Sequence, residues 1–446
     1  MKQLSYLIIL IIFSYLANAQ LKGELKSYSL NECIEIALQN NYDYKLAKSN
    51  INVANAAITE AFGEFLPSLN YSAGYNRQLN TQGGKTANLF GQIIPIPQSN
   101  PNSYNMSAGA TYPIFTGFSR EANYSKALDS YESTDLNVKH IAKKVEHDVY
   151  LQYIDIINKR ETVKTRKENY ELGRQQLDRI QAQFSAGTIA INVVYSQEAD
   201  LANKEYDIIT AEAALSSSKS TILSLMGLKT DISVDFSEKS VPKEINDEDM
   251  SNFRKAVGDY STAISDALNN RQDFTASNFD ITAAEAGVRS VSSGYYPTLS
   301  AATGWSWANS ELNQFGDLGR TYVGLNFTLP IFDNFRTKLN VENANLQLEQ
   351  KKIAKLQLEQ SIRTALTINY DNLEAAERLV NVAKKAVEAA EKNYESSKER
   401  FDVGKADIIE YQNANNQLII SKINKISAVY NYFKAQKELL YSIGKF

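Results

Sequence analysis

The chain carries the same ordered landmarks twice, at a constant distance along its length. Three pairs of residues lie 217 positions apart: Pro113 and Pro330, Gly187 and Gly404, and Gly227 and Gly444. A helix resists insertions whereas a surface loop tolerates them, so one shared offset indicates a fixed helical register. Pro67 and Pro297 lie 230 positions apart. The difference between the two offsets, 230 and 217 positions, therefore falls in a loop between the two prolines of each half. An internal duplication constrains the fold more than any local motif.

We predict one order of elements in both halves: a helix, a pair of strands, a very long helix, a sharp turn and a last helix. For the first half, residues 20–227, the bounds are a first helix at about 30–62, strands at about 66–115, a long helix at about 120–183, a turn at 184–190 and a helix to 227. For the second half, residues 259–446, they are a first helix at about 260–292, strands at about 297–332, a long helix at about 337–400, a turn at 401–407 and a helix to 443. Residues 228–258 form a small insertion between the halves.

The second long helix carries an apolar stripe with alternating spacings of four and three, which is typical of a helix packed along another helix. The stripe consists of Ile362, Leu366, Asn369, Leu373, Ala376, Val380, Ala383, Val387, Ala390, Tyr394, Ser397 and Phe401. A second, partial stripe runs beside it through Leu379, Val382, Ala386 and Ala389. Two adjoining stripes predict neighbours on both flanks. In the first half the equivalent stripe is interrupted by Gln152, Lys159 and Arg166, so the halves are similar but not equivalent.

The strand pairs alternate apolar or aromatic residues with small or polar ones. In the second half the apolar positions are Leu299, Ala301, Thr303, Trp305 and Trp307, then Val323, Leu325, Phe327 and Leu329. This alternation is typical of membrane-barrel strands, with one face toward lipid and one toward the lumen, and we expect Trp305 and Trp307 to face lipid. A half-buried soluble hairpin shows the same alternation and is the alternative. Four strands are too few to close a barrel, whereas three chains would supply twelve.

The N-terminus predicts export from the cytoplasm. Lys2 precedes an apolar run over residues 4–16 and then Ala17-Asn18-Ala19, the pattern of a secretory signal peptide over residues 1–19. Gln20 rather than Cys follows the expected cleavage site, so no lipid anchor is indicated. The remaining chain lacks an apolar stretch long enough for a transmembrane helix, and we expect any membrane portion to be a β-barrel.

Composition and motifs argue against several functional classes. The formal net charge is −4 and no large basic block occurs, which disfavours nucleic acid as a partner. His140 and His147 are the only histidines, and seven residues of helix separate them by about 10 Å, too far for one metal ion to bind both. No catalytic constellation and no phosphate-binding glycine loop is present. We therefore predict no enzyme activity, no cofactor and no metal site.

Taken together, these landmarks resemble the TolC-type outer-membrane efflux proteins over essentially the whole mature chain. The matching segments are 29–32 and 37–41 near the start, Leu66-Pro67 and Tyr296-Pro297 before the strand pairs, Tyr112-Pro113-Ile114-Phe115 and Leu329-Pro330-Ile331-Phe332 after them, and a Phe-x-x-Gly turn after each long helix. Each motif is weak alone, but the ordered set occurs twice. Proline is poorly tolerated inside a helix or a central strand, so Pro67, Pro113, Pro297 and Pro330 are expected at helix–strand junctions.

The resemblance implies a mainly α fold with a membrane β-barrel portion: a homotrimer with a 12-stranded barrel in the outer membrane and a long α-helical barrel in the periplasm. It also implies an export duct that receives cargo from a periplasmic adaptor (a membrane fusion protein) and an inner-membrane pump. Drug efflux, metal efflux and protein secretion all fit this layout. The alternative is a periplasmic coiled-coil adaptor or structural spacer of an envelope assembly.

The resemblance further implies roles for particular residues. Phe184, Gly187, Phe401 and Gly404 belong to the two turns and are expected to form the periplasmic tip that contacts the adaptor. Acidic residues six and nine positions after the second glycine line the narrowest point of the pore in this family. Those positions hold Glu410 and Asn413 here, so one acidic ring is kept and the other is lost. The alternative for Glu410 is an ordinary solvated position on a helix.

Overall fold

The computed structural model describes residues 27–79, 86–95 and 100–446, and the predicted signal peptide, residues 1–19, lies outside them. The helices are α1 (Leu30–Asn40), α2 (Tyr42–Gly63), α3 (Ser119–Ser185), α4 (Ile191–Leu225), α5 (Asp247–Val257), α6 (Tyr260–Asn270), α7 (Gln272–Ser292), α8 (Arg336–Asp402) and α9 (Ile408–Ile443), with short helical turns at Glu238–Ser240, Ser293–Tyr295 and Phe315–Leu318. The strands are β1 (Ser27–Tyr28), β2 (Ser68–Arg77), β3 (Thr86–Leu89), β4 (Gln92–Pro95), β5 (Asn102–Phe115), β6 (Asp235–Phe236), β7 (Thr298–Asn309) and β8 (Arg320–Thr328).

The chain divides into two compact units, and each unit takes segments from both halves of the sequence. The first, which we call the helical unit, comprises the described part of residues 1–49 together with 136–275 and 358–446. The second, the strand unit, comprises residues 50–135 and 276–357 within the same described ranges. The duplication thus does not correspond to two separate domains.

The two longest helices, α3 and α8, each span 67 residues, or about 100 Å at the α-helical rise. In the helical unit the predicted stripe on α8 is confirmed, because Ile362, Leu366 and Val380 are buried with most of its other members. They pack in one core with Ala428, Val429 and Tyr432 of α9 and with residues of α6. Since isolated helices gain little stability from their own hydrogen bonds, this lateral packing keeps the long helices folded.

Polar residues that interrupt the first-half stripe are all paired within the helical unit. The Gln152 amide donates to the Ser218 carbonyl and hydroxyl at 3.1 and 2.7 Å, and Arg166 pairs with Asp207. Lys159 lies 2.6 Å from an oxygen of Asp155.

Asp155 connects three segments, because it also accepts hydrogen bonds from Ser218 on α4 and Lys434 on α9. Burial alone would raise the pKa of this carboxyl. Lys159, Ser218 and Lys434 outweigh that effect and hold the pKa of Asp155 below its ordinary value.

The first helix of each half is not continuous, contrary to the sequence expectation. It breaks at Asn41 in the first half and at Arg271 in the second, where ψ is 132° and 123°. Asn41 donates from its side-chain amide to the Leu225 carbonyl at 2.9 Å, and Arg271 donates to the Ser442 carbonyl at 3.4 Å. Each break therefore receives the C-terminal end of the last helix of its own half, a tertiary contact that local helix periodicity cannot indicate.

The segment between the halves, residues 228–258, is not a separate body. β6 pairs in parallel with β1, with Tyr28 opposite Phe236. The Tyr153 hydroxyl donates to the Ser237 carbonyl at 2.5 Å, and Arg160 binds the Phe236 carbonyl and Asp235. α5 then contributes Met250 and Val257 to the core around α8 and α9.

The four long strands form one antiparallel sheet in the strand unit, in the order β2-β5-β7-β8. β2 and β7 follow helices, and β5 and β8 precede helices. Because neighbouring strands are antiparallel, all four helix connections lie at one end of the sheet. The end of β2, the start of β5 and the connection over residues 310–319 lie at the other end, which we call the loop end. Four short strands lie outside this sheet in the described chain: β1 pairs with β6, and the unpredicted hairpin β3–β4 lies in the first loop.

The prolines occupy the junctions with one exception. Pro67 and Pro297 each come directly before a strand, and Pro330 follows β8 by two residues. Pro113 lies inside β5, contrary to its expected position at a junction, where the pairing with β7 becomes irregular between Pro113 and Phe115. Proline lacks an N–H to donate, so a break in the register accommodates it. Arg120 then binds the Pro113 carbonyl at 2.7 Å.

Candidate functional site

The strand register places the apolar residues of all four strands on a single face. Across the sheet, Trp305 is paired with Ala108 and Ala108 with Tyr71, and on the other side Trp305 is paired with Thr321. Along β8 the same face continues through Val323, Leu325 and Phe327. We call it the apolar face.

The opposite face is polar or has small side chains, and we call it the polar face. It carries Asn70, Ser72, Gly74 and Asn76 on β2, Asn105, Ser107 and Gly109 on β5, Ser300, Gly304 and Ser306 on β7, and Tyr322, Gly324 and Asn326 on β8. The predicted alternation is therefore in register across the four strands, except where the pairing of β5 with β7 becomes irregular between Pro113 and Phe115.

Most large side chains of the apolar face are open in the single chain. Val323 is 84% exposed, and Leu69, Tyr71, Leu325 and Phe327 are also well exposed. A continuous exposed apolar surface of this kind marks contact with lipid or another chain. Trp307 is the exception at 2% exposure, because Phe315 stacks on its ring with centroids 4.4 Å apart. The expectation that Trp307 faces lipid directly is therefore wrong.

The two predicted turns, residues 184–190 and 401–407, close α3 onto α4 and α8 onto α9 in the helical unit; we call them the tip turns. Gly187 and Gly404 have φ of +74° and +75°. After Gly187, the Thr188 amide donates to the Gln183 carbonyl at 3.0 Å; after Gly404, the Lys405 amide donates to the Arg400 carbonyl at 2.7 Å. This is the Schellman ending of a helix, which requires a residue in the left-handed region and therefore favours glycine.

The two phenylalanines of the tip turns differ in their surroundings. Phe401 stacks on Tyr411 with ring centroids 5.4 Å apart, next to the buried Ile180 and Val194. Phe184 is 41% exposed and lies outside that cluster. Phe401 therefore belongs to the packing between the two helix hairpins, and Phe184, with the exposed Val403, offers apolar surface at the turns.

Glu410 and Asn413 lie on the first turns of α9. Asp407 caps this helix by accepting the Glu410 amide at 2.7 Å, and the Glu410 carboxylate accepts a hydrogen bond from Arg400 at 2.6 Å. Glu410 is half-buried and Asn413 is exposed. The carboxylate proposed for an acidic ring thus carries a cationic partner within its own chain.

A set of polar contacts between the two hairpins was not predicted from the sequence. Near the tip turns the Gln412 amide donates to Gln197 at 3.1 Å, and Arg179 pairs with Asp402 at 2.7 Å. Farther along, the buried Asn415 amide donates to the buried Asn169 at 2.9 Å. Helix periodicity does not indicate which residue of another helix such an Asn or Gln contacts, so no signal in the sequence indicated these pairs.

The two histidines lie apart from any metal-binding arrangement. His147 stacks on Tyr441 with centroids 4.3 Å apart, and His140 lies 3.8 Å from Asp273. Burial lowers the pKa of His140, and Asp273 only partly opposes that effect. Over residues 27–79, 86–95 and 100–446, no group of His, Cys, Asp and Glu is placed to hold a metal ion, and no helix is apolar over a bilayer-spanning length.

The described chain thus combines a sheet that has an exposed apolar face with long antiparallel helix hairpins. The model of the outer membrane efflux protein family matches residues 33–228 and 263–445, so the chain belongs to that family. TolC of Vibrio cholerae is 22% identical over 445 residues, covering 97% of this chain and 94% of that protein. The outer membrane efflux protein BepC of Brucella suis is 21% identical, covering 77% and 76% of the two chains.

Solved structures share the fold. The CmeC outer membrane channel of Campylobacter jejuni superposes with a TM-score of 0.74 at 18% identity, over 93% of this chain and 85% of that one. VceC, an outer membrane protein of Vibrio cholerae, gives 0.75 at 14% identity, over 93% and 96%. Membership in the outer membrane efflux protein family, and not the shared fold alone, identifies the protein as an export channel of the outer membrane, in a family of channels rather than enzymes.

Substitutions at Gly404 test the geometry of the second tip turn. We expect Gly404→Val to destabilise the turn by about 1–2 kcal/mol, because a β-branched residue is strained at positive φ. Gly404→Asn should cost less, since Asn tolerates this region. Limited trypsin digestion, with Arg400 and Lys405 as the reporting sites, should cut the Val variant faster than the Asn variant and the parent. Equal digestion rates for all three would contradict the strained-turn explanation.

Proposed function

We propose that three copies of this chain form a trimer whose sheets close into one 12-stranded barrel in the outer membrane. β2 and β8 are the outer strands of the sheet within the described chain and present unpaired backbone groups. In a bilayer such groups find no water and require a partner strand. Joining β8 of one copy to β2 of the next satisfies both edges, turns the apolar face toward lipid and encloses the polar face as the lumen.

The second stripe of α8 supports the same assembly. Leu379 is 57% exposed, and Val382, Ala386 and Ala389 are exposed along the same side of the helix. The stripe adjoins the buried one but has no partner within the described chain. We infer that it packs on helices of a neighbouring copy, which would extend the hairpins into a closed α-helical barrel in the periplasm.

The tip turns are the proposed entrance for cargo. They are exposed, carry Phe184 and Val403 as apolar contacts, and lie at the far ends of the two hairpins of the helical unit. A periplasmic adaptor, a membrane fusion protein coupled to an inner-membrane pump, would bind here through Phe184, Gly187, Phe401 and Gly404. Relatives are named for the export of pyoverdine and of toxins and drugs. We therefore propose an export duct without assigning it a single cargo.

Gating is assigned to the same end of the hairpins. Glu410 would occur three times around the axis of a trimer, and Asn413 would form a neutral ring beside it. Clustered carboxylates in a narrow passage attract cations. The Arg400 guanidinium at 2.6 Å offsets part of this charge in each copy, so the field at the ring depends on whether that pair stays closed.

The assembly predicts a mass of three chains in detergent, measured by light scattering of the purified protein. Leu379→Lys should lower the recovery of trimer, because it places a charge in an apolar contact. Asn381→Lys, which adds the same charge at an exposed position outside both stripes, serves as the matched control. A parent protein that remains a monomer or dimer would overturn the proposed closure.

Docking at the tip turns predicts cross-links from cysteines introduced at Ser185 or Lys405. Both sites are exposed, and the native Cys33 is fully buried, so a thiol-reactive cross-linker should react at the introduced cysteine. We expect covalent products with a periplasmic adaptor, and none from the matched control Gln314→Cys at the loop end. Labelling of Ser185→Cys or Lys405→Cys from outside intact cells would show that the topology is inverted.

The acidic ring predicts altered conduction in planar bilayers. Glu410→Gln should weaken cation selectivity and block by multivalent cations, with folding and trimer yield unchanged, because it removes the carboxylate charge at equal size. Glu395→Gln, an exposed position outside the proposed ring, is the charge-matched control and should leave both properties unchanged. Identical selectivity in the Glu410 variant and the parent would remove Glu410 from the gate.

A further inference from the structure

The loop between β7 and β8, residues 310–319, is folded against the sheet at the loop end. Asn309 donates from its side-chain amide to the Asn313 side chain at 2.7 Å, and the Ser310 amide donates back to the Asn309 side chain at 2.8 Å. One helical turn follows at Phe315–Leu318. At its end, the Gly319 amide donates a hydrogen bond to the Phe315 carbonyl at 3.1 Å. These hydrogen bonds and the helical turn lead the loop back to β8.

That path crosses the apolar face and not the polar face. Phe315 stacks on Trp307, and the backbone at Gly319 passes close to the Trp305 ring. A side chain at Gly319 would lie 2.6 Å from Trp305 Nε1, so only glycine permits this approach. Trp305 and Trp307 are the only tryptophans of the chain, and this loop contacts both of them.

The outer surface of the loop is itself apolar where it continues the apolar face. Leu312, Phe315 and Leu318 are all well exposed, and Leu312 reaches 57%. Glu311 and Asp317 come directly before two of them, Leu312 and Leu318. Apolar side chains interleaved with charged ones, beside tryptophans at the end of a membrane strand, suit the boundary between acyl chains and headgroups.

We propose that residues 310–319 form a lipid-binding clamp, which lies in the headgroup region of the outer leaflet and inserts Leu312, Phe315 and Leu318 among the lipid chains. The proposal rests on the assignment of the apolar face to lipid. It adds that the loop folds outward over the lipid side, so that these residues anchor the rim of the barrel and leave the lumen side uncovered by this loop.

Nitroxide labels in vesicles of dioleoylphosphatidylcholine test the proposal on the full chain. Leu312→Cys and Leu318→Cys report on the loop, while Leu325→Cys and Asn326→Cys report on the two faces of β8. Each label is tested for collision with oxygen, which concentrates in lipid, and with a water-soluble nickel chelate. Because the native Cys33 is fully buried, labelling is confined to the introduced site.

The expected result is greater collision with oxygen than with nickel at Leu312, Leu318 and Leu325, and the reverse at Asn326. If the two β8 labels behave as expected but the labels at Leu312 and Leu318 collide mainly with the nickel chelate, the proposed clamp is wrong. The lipid-facing assignment of the sheet is then unaffected. If the Leu325 label collides mainly with nickel in vesicles that carry the protein, the lipid-facing assignment itself fails, and the clamp fails with it.

Discussion

Lateral packing of helices is the interaction on which the described structure depends. A helix of 67 residues gains too little from its own hydrogen bonds and capping to stay ordered alone. α8 remains helical because Leu366 and Val380 are buried against α9 and its neighbours, and α3 because Val149 and Ile156 are buried in the corresponding core of the first half. The tip turns follow from this constraint, since a hairpin that packs along its whole length must reverse within a few residues.

The same constraint explains which surfaces remain unsatisfied. The second hairpin buries one stripe of α8 and leaves another apolar stripe, around Leu379 and Val382, open to solvent in the single chain. The sheet likewise has an exposed apolar face and two strand edges without partners in the described chain. Apolar area removed from water contributes about 25 cal/mol per Å². In the proposed trimer, lipid would cover the apolar face and a neighbouring copy would cover the exposed stripe of α8.

Polar contacts inside the helical unit refine this apolar framework. Asp155 joins α3, α4 and α9, while Asn169 and Asn415 join the two hairpins in a buried pair. A buried polar group without its partner costs about 1–3 kcal/mol, so these contacts favour one alignment of the hairpins over shifted ones. Arg400 and Glu410 form a comparable but more exposed pair, whose opening costs less.

The sequence by itself determined what depends on local periodicity and chain geometry: the long helices with their stripes, the glycine turns, the alternating strands and the equal spacing of the halves. Tertiary structure decided what depends on residues distant in the chain. Asn41 breaks a helix where the end of α4 contacts it, Asp155 accepts a hydrogen bond from a lysine 279 residues away, and Trp307 is covered by Phe315. The sequence pattern of a helix or strand indicates which of its sides is apolar. Only the folded chain determines which residues pack against that side.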